Sequence, residues 1–363
     1  YIMFVFLIST LAALVLSLGL TPLMIKASRR LKILDMPNGR KEHHEPMPLM
    51  GGVAIYLATI VATVMFIVLF VDGLQLNIVI AFLIGISGVT LMGLIDDILS
   101  LSAKRRLAIL FVLALIVLVG CLQFYFPERL LHTSLALTLL TSFIVVFWIV
   151  SITNAINLSD GLDGLASCLS LVSVAAFAVI FYLQGRTQLA LPTTLALFGA
   201  IAGFLPYNIS PARIFMGDAG SMFIGFMLGI LSIMSMSQKP LEFFVVPVFI
   251  ILMPILDMAM AILRRLLLKR PIMQADKQHF HHRLNRFFRS QRVVVLVMML
   301  GQLACAGIGI VEYLTEWFAL GWALLGVIAV LAILYTLRTV SRIRTAEAKL
   351  AQPAVQVSEK AAE

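Results

Sequence analysis

Long apolar runs alternate with short polar segments along most of this chain. Each run has about 20 residues, the length a helix needs to cross a ~30 Å hydrocarbon core. The pattern predicts an all-α, polytopic integral membrane protein with eleven transmembrane helices in one domain, residues 1–340, and a polar tail, residues 341–363, that we expect to be disordered. The predicted spans are 2–25, 49–71, 75–95, 107–126, 134–152, 164–183, 188–206, 220–237, 241–263, 293–311 and 317–336.

Composition excludes a soluble globular domain. The 363 residues are 61% hydrophobic and 12% charged, with a mean hydropathy of +1.05. Soluble domains carry about a quarter charged residues. The three cysteines lie in or beside apolar runs without metal or redox spacing, which is typical of packing residues.

The basic residues are distributed unevenly about the predicted spans. With the N-terminus outside, 24 of the 27 Lys and Arg residues fall on the inner side, including those of the C-terminal tail. This asymmetry predicts an outer N-terminus and a cytoplasmic C-terminus. The net charge of +9 then faces anionic lipid headgroups or an anionic substrate, and we expect no nucleic-acid partner.

The polar motifs all fall on the predicted inner side, which indicates a single site at the cytoplasmic membrane face. They are "RKEHHEPMPLMGG" (40–52), "LIDDILSLSAKRR" (94–106), "NAINLSDGLDGLA" (154–166), "FMGDAGS" (215–221) and "RRLLLKRPIMQADKQHFHHRL" (264–284).

Asp96 and Asp97 adjoin the third predicted span. Two neighbouring carboxylates are either a solvated helix end or a pair used for divalent-cation or proton chemistry. Lys104 would share a helix face with Asp97 two turns away.

The motif at 154–166 places Asn154, Asn157, Asp160 and Asp163 at intervals of three residues. On one straight helix they would fan over half its surface. The glycines at 161 and 164 suggest that one helix ends near Asp160 and the next begins near Asp163. The four side chains would then form a pocket wall, and the alternative is a polar turn between helices.

Asp218 precedes or opens a helix whose first N–H groups are unpaired. Such a helix end favours phosphate, and the carboxylate is suited to Mg²⁺. The alternative is that Asp218 is an ordinary N-cap.

The longest inner loop combines His279, His281 and His282 with several basic residues. Three histidines suit zinc, and a solvated basic loop is a second alternative, but the abundance of cations favours phosphate binding. Carboxylates for hard cations, cations for phosphates and a location at the membrane edge together indicate phosphoryl transfer to or from a lipid.

These motifs resemble the polyprenyl-phosphate N-acetylhexosamine-1-phosphate transferases, the family that includes MraY, WecA and TagO. "PLMGG", "DD" with a downstream Lys, "NxxNxxDGxDGLA", "FMGDAGS" and "HxHH" occur in the family's order between residues 40 and 284. "QHFHHRL" and "RKEHHEPMPLMGG" are more similar to the WecA/TagO branch than to MraY.

The resemblance implies that undecaprenyl phosphate attacks a UDP-N-acetylhexosamine, most simply UDP-N-acetylglucosamine, and releases UMP. This reaction initiates cell-envelope polysaccharide synthesis, of lipopolysaccharide or teichoic acid, at the bacterial inner membrane. It implies Mg²⁺, with Mn²⁺ as a substitute, and a homodimer is compatible with it.

Residue roles follow from the same resemblance. Asp218 and Asp97 would hold the metal. The implied catalytic residues are Asp96, Asp97, Asp160 and Asp163. The implied substrate-binding residues are Asn157, His279, His281, His282, Arg265, Lys104, His43 and Lys41.

Two questions stay open at this point. The lipid phosphate attacks directly, or the reaction passes through an aspartyl-phosphate. The competing class is a transporter or flippase for a lipid-linked or anionic solute, which would place ionisable groups near the midplane. Asp257, inside the ninth predicted span, is the residue that favours this class, although its spacing from Arg264 suggests that it faces the inner edge of the site.

Overall fold

The computed structural model describes residues 2–37, 45–71, 73, 76–120, 134–236, 240–272 and 278–360. These residues are almost entirely helical, which confirms the all-α prediction. The helices are α1 Ile2–Leu31, α2 Gly51–Phe70, α3 Leu76–Leu99, α4 Ala103–Gly120, α5 Leu135–Ser159, α6 Leu165–Leu183, α7 Ala190–Asn208, α8 Gly217–Met234, α9 Pro240–Phe243, α10 Val245–Ile250, α11 Leu252–Leu267, α12 Phe280–Phe288, α13 Gln291–Thr315 and α14 Phe318–Lys360.

Nine helices within the described residues are long and apolar enough to span a membrane: all or part of α1, α2, α3, α5, α6, α7, α8, α13 and α14. The chain is therefore a polytopic membrane protein. The described part of the predicted span 107–126 lies in α4, whose first turn carries three basic residues, and residues 121–126 lie outside the described residues. The predicted span 241–263 lies in the consecutive helices α9, α10 and α11. The count of eleven spans and the placement of the termini stay predictions.

The predicted span at 241–263 is not one helix. It breaks at Phe244 and again at Ile251. Proline explains both breaks, because its ring clashes with the carbonyl four residues earlier, which is residue 243 for Pro247 and residue 250 for Pro254.

The backbone groups freed at the second break are paired by buried side chains. The Ile250 carbonyl accepts hydrogen bonds from Ser173 Oγ, at 2.7 Å, and from Gln302 Nε2. The Met253 N–H donates to Gln302 Oε1, at 3.0 Å. Irregular backbone at membrane depth is tolerated where protein satisfies it in this way.

Helix α8 forms the centre of the bundle. Every residue of α8 except Asp218 is buried, as expected for a helix that is apolar on all sides. It packs against α2, α3 and α5. The one polar exception thus lies at its first turn.

A two-residue antiparallel pair, β1 Leu34–Asp35 with β2 Met47–Pro48, precedes α2. Its second strand is tied to the segment before α8, because the Phe215 N–H donates to the Pro48 carbonyl and the Gly51 N–H to the Phe215 carbonyl. This connection fixes the start of α8 beside the start of α2.

The last helix, α14, continues to Lys360, so the backbone of most of the tail that we expected to be disordered is helical. Residues 343–350 are rich in Ala, Glu, Lys and Arg, which are strong helix formers, and they extend the helix begun by the last span.

Candidate active site

A cavity of about 700 Å³ lies at one end of the bundle, where several helices begin or end. Its wall combines the ends of α3, α5 and α7 with the starts of α8 and α13. Of the residues predicted from the sequence, it is lined by Asp96, Asp97, Asn157, Asp160, Asp163, Asp218 and His282. The tertiary structure therefore brings side chains from four separate motifs to one place.

Asp218 is held by the last turn of α5. Asn157 Nδ2 donates to Asp218 Oδ1, at 2.6 Å, and to Ser221 Oγ, at 2.9 Å. Asp218 is not the N-cap of α8, because Met216 occupies that position. Asn157 therefore orients Asp218, a role that its spacing alone did not indicate.

Asp97 occupies the N-terminus of α8. Its Oδ1 accepts from the Asp218 N–H, at 2.8 Å, and its Oδ2 from the Ala219 N–H, at 3.2 Å. Gly217 permits this approach, since its φ is +68° and a Cβ there would lie 2.6 Å from Asp97 Oδ2. The expectation that these N–H groups bind phosphate is wrong for these two amides, because a carboxylate of the same chain already binds them.

Asp96 is buried and has a different set of partners. It accepts from the Leu101 N–H, at 2.6 Å, and from Arg106 Nη1, at 2.7 Å. The same Arg106 nitrogen lies 3.6 Å from Asp218 Oδ2. Arg106 thus connects two carboxylates that the sequence assigned to catalysis and to metal.

Arg106 was not among the site residues predicted from the sequence, whereas Lys104 was predicted to bind substrate. Lys104 is exposed and does not line the cavity. The pairing of Arg106 with Asp96 could have been predicted from the helical hairpin that α3 and α4 form. Asp96 lies three residues before α3 ends, and Arg106 lies three residues after α4 begins. Antiparallel neighbours bring such positions together.

The segment between α5 and α6 follows the prediction. Helix α5 ends at Ser159 and α6 begins at Leu165, so Asp160 and Asp163 lie in the turn. Asp163 Oδ2 accepts from the Ala212 N–H, at 3.0 Å, and fixes the loop before α8.

The Asp160 carboxylate accepts no hydrogen bond from the described residues, although the Asp160 N–H donates to the Asn157 carbonyl, at 3.2 Å. Desolvation in the cavity wall, followed by the charges of Asp218 and Asp163, raises the pKa of Asp160 to about 8. The acidic charge on this wall therefore exceeds what the protein itself neutralises there.

The histidine loop is organised around Asp257. His281 Nδ1 lies 2.6 Å from Asp257 Oδ2, and His279 Nδ1 lies 3.4 Å from Asp257 Oδ1. His282 lines the cavity, whereas His279 and His281 are buried behind it.

The remaining predicted residues lie elsewhere. Arg265 is buried and donates from Nη1 to the Ile272 carbonyl, at 2.7 Å, and its Nη2 lies 3.5 Å from His279 Nε2. It does not line the cavity. Lys41 and His43 lie outside the described residues. The substrate-binding roles of all these residues stay predictions.

Fold and cavity together define a polytopic helical membrane protein with a polar, carboxylate-rich cavity where its helices end. Residues 79–236 match the family described as glycosyl transferase family 4. That segment contains all the aspartates on the cavity wall apart from Asp35, and the histidine loop lies after it.

Individual relatives agree with this match. The chain is 37% identical, over 87% of its length and 86% of the relative's, to a probable undecaprenyl-phosphate N-acetylglucosaminyl 1-phosphate transferase of Bacillus subtilis (strain 168). It is 34% identical, over 66% of its length and 79% of the relative's, to a phospho-N-acetylmuramoyl-pentapeptide-transferase of Staphylococcus aureus (strain MSSA476). The chain belongs to glycosyl transferase family 4.

Proposed function

We propose that this protein transfers N-acetylglucosamine 1-phosphate from UDP-N-acetylglucosamine to undecaprenyl phosphate and releases UMP. The observation that carries the proposal is the cavity, where five aspartates of three motifs meet His282 at the end of apolar helices. A phosphate on a lipid tail reaches such a place from the bilayer, while a nucleotide reaches it from water.

The choice of sugar is supported by similarity. The Bacillus subtilis relative is named for N-acetylglucosamine 1-phosphate transfer, and it aligns with more of this chain than the Staphylococcus aureus relatives do. The "HFHH" and "PLMGG" motifs also resemble the WecA/TagO branch.

The carboxylates that line the cavity are suitable ligands for magnesium. Mg²⁺ takes carboxylate oxygens, usually one or two from the protein, and fills its other positions with water and substrate phosphates. Among the described residues no group of three or more His, Cys, Asp or Glu side chains is placed to hold a metal ion, so the site we propose uses only two protein ligands. We assign Asp218 and Asp97 as its ligands; bound there, Mg²⁺ would draw charge from the diphosphate.

The chain's own residues complete the charge balance. Donor and acceptor each carry phosphate, so catalysis depends on neutralising and aligning anions. Asn157 fixes the Asp218 carboxylate, and Asp96 holds the Arg106 guanidinium beside it. The Asp160 carboxylate lines the cavity and accepts no hydrogen bond from the described residues, so it is our choice to accept the proton of the lipid phosphate.

We further propose that the cavity faces the cytoplasm of a bacterial cell. The predicted positive-inside distribution supports this orientation. In a variant without native cysteines, a cysteine placed at Ser102 should react only with reagents on the cytoplasmic side, and one at Gln188 only from outside. The reverse pattern would overturn the orientation.

The deciding experiment supplies purified protein with Mg²⁺, undecaprenyl phosphate and a panel of radiolabelled UDP-sugars, and measures UMP and labelled lipid. We expect both products from UDP-N-acetylglucosamine. A preference for the muramoyl-pentapeptide nucleotide would change the sugar assignment. Absence of UMP with every nucleotide would contradict the reaction itself.

A further inference from the structure

Asp257 lies outside the cavity, yet it contacts the loop that delivers His282 to it. The Asp257 side chain is 3% exposed. Its Oδ1 accepts from the Phe280 N–H, at 2.7 Å, and its Oδ2 pairs with His281 Nδ1, at 2.6 Å. One carboxylate thus binds both residues that immediately precede His282.

The position of these bonds explains why a carboxylate suits this place. Phe280 begins α12, so its N–H has no partner within the helix. A negative charge at a helix N-terminus is also favourable. Asp257 therefore fixes the direction in which α12 leaves the loop.

The opposite edge of His281 is packed against the aspartate turn. His281 is fully buried, and its Nε2 has no hydrogen-bond partner among the described residues. A Cβ added to Gly161 would lie 2.6 Å from that nitrogen. Gly161 itself lines the cavity beside Asp160.

The His282 ring packs next to this assembly, tilted by 51° from the plane of the His281 ring. Its ring centroid lies 4.3 Å from that of His281. Because Asp257 fixes one edge of His281 and Gly161 limits the other, His281 presents a fixed surface against which the His282 ring packs.

We propose that Asp257 is a positioning residue, which acts through His281 to hold His282 on the cavity wall against the turn that carries Asp160. This inference rests on the proposed function and deepens it. It assigns His281 to the support of the site, whereas the sequence grouped all three histidines as substrate ligands.

The first test does not need activity. Diethyl pyrocarbonate modifies accessible imidazoles, and peptide mass spectrometry locates the label. In the wild type we expect His282 to react and His281 to be protected. In Asp257→Asn, His281 should gain reactivity at least several-fold. Equal protection of His281 in both proteins would overturn the proposal.

The second test is a double-mutant cycle on UMP release, with Asp257→Asn and His282→Ala measured alone and together. In metal sites, losing a carboxylate that orients a ligand histidine costs about 10- to 100-fold, and we take this as the scale for a positioned histidine here. We expect Asp257→Asn to reduce UMP release by that factor in the wild-type background. In the His282→Ala background the same substitution should reduce it by less than about threefold. Equal losses in both backgrounds would show a general structural effect and reject the proposal.

Matched variants separate positioning from folding. Glu312→Gln removes another buried carboxylate, 21 residues from Gln291 on the cavity wall and hence about 30 Å along α13. Gly161→Ala should reproduce the Asp257→Asn labelling change, while Gly326→Ala, with nothing within 4 Å of its added Cβ, should not. If the wild type releases no UMP, the proposed reaction fails, and the labelling pattern alone decides this inference.

Discussion

The two sides of the cavity are built by different means. The aspartate side consists of helix ends and the turn after α5 within the family match, and all its aspartate side chains except that of Asp160 bind other side chains or backbone N–H groups. The histidine side is a loop after that match, and Asp257 on the broken helix segment α11 organises it. The aspartate side is thus fixed by helix packing, whereas the histidine side is fixed by side-chain contacts, from the Asp257 carboxylate and from Arg264 and Arg265.

This difference predicts how each side of the cavity responds to substitution. Helix ends anchored by many contacts hold their groups with little freedom, whereas a loop held by a few side-chain contacts loses its geometry when one of them is removed. We therefore expect substitutions on the aspartate side to abolish the reaction itself. Substitutions on the histidine side should instead disturb the position of His282 on the cavity wall.

Metal removal should have the largest effect and should act on the aspartate side alone. Chelation with EDTA is expected to abolish UMP release, and added Mg²⁺ or, to a lesser degree, Mn²⁺ to restore it. The diethyl pyrocarbonate pattern of the histidines should not change on chelation. Full activity in EDTA would contradict the assignment of a metal.

Asp218→Ala comes next. It removes the carboxylate that Asn157 and Arg106 both approach, and we expect UMP release to fall by about 10³-fold. Unchanged Mg²⁺-dependent turnover would refute the metal assignment. Cys305→Ser, on a helix of the bundle away from the cavity lining, is the control and should keep wild-type activity.

Arg106→Ala and Lys104→Ala compare the residue found in the structure with the one chosen from the sequence. We expect about a 100-fold loss of turnover for Arg106→Ala, because it removes a fixed positive charge beside Asp218. Exposed Lys104 should matter less than about threefold. The opposite order would show that Arg106 serves only to pair with buried Asp96.

The smallest effect is expected at the helix break that precedes Asp257. Gln302→Leu leaves the Met253 N–H unpaired and removes one of two donors to the Ile250 carbonyl, which should cost about 1–3 kcal/mol of stability. Ser173→Ala removes the other donor to that carbonyl and one acceptor of Gln302 Nε2, but it leaves the Met253 N–H paired and should cost less. Thermal unfolding in detergent measures both, and equal shifts would show that the Met253 N–H contributes nothing.

Much of the site was predictable because it depends on local patterns. The carboxylate motifs, the ends of the apolar runs and the break between α5 and α6 each follow from spacing within about a dozen residues. The roles within the site were harder to predict. Asp96 and Asp97 are neighbours in the chain, yet they project about 100° apart on a helix and bind different partners.

The sequence by itself determined the membrane class, the positions of most spans and the residues from which a site could be built, since hydropathy and charge act locally. Tertiary structure alone decided that Asn157 orients Asp218, that Asp97 caps α8, that Arg106 reaches two carboxylates and that Asp257 holds the histidine loop. These contacts join residues up to 121 positions apart, so their partners depend on how the helices pack.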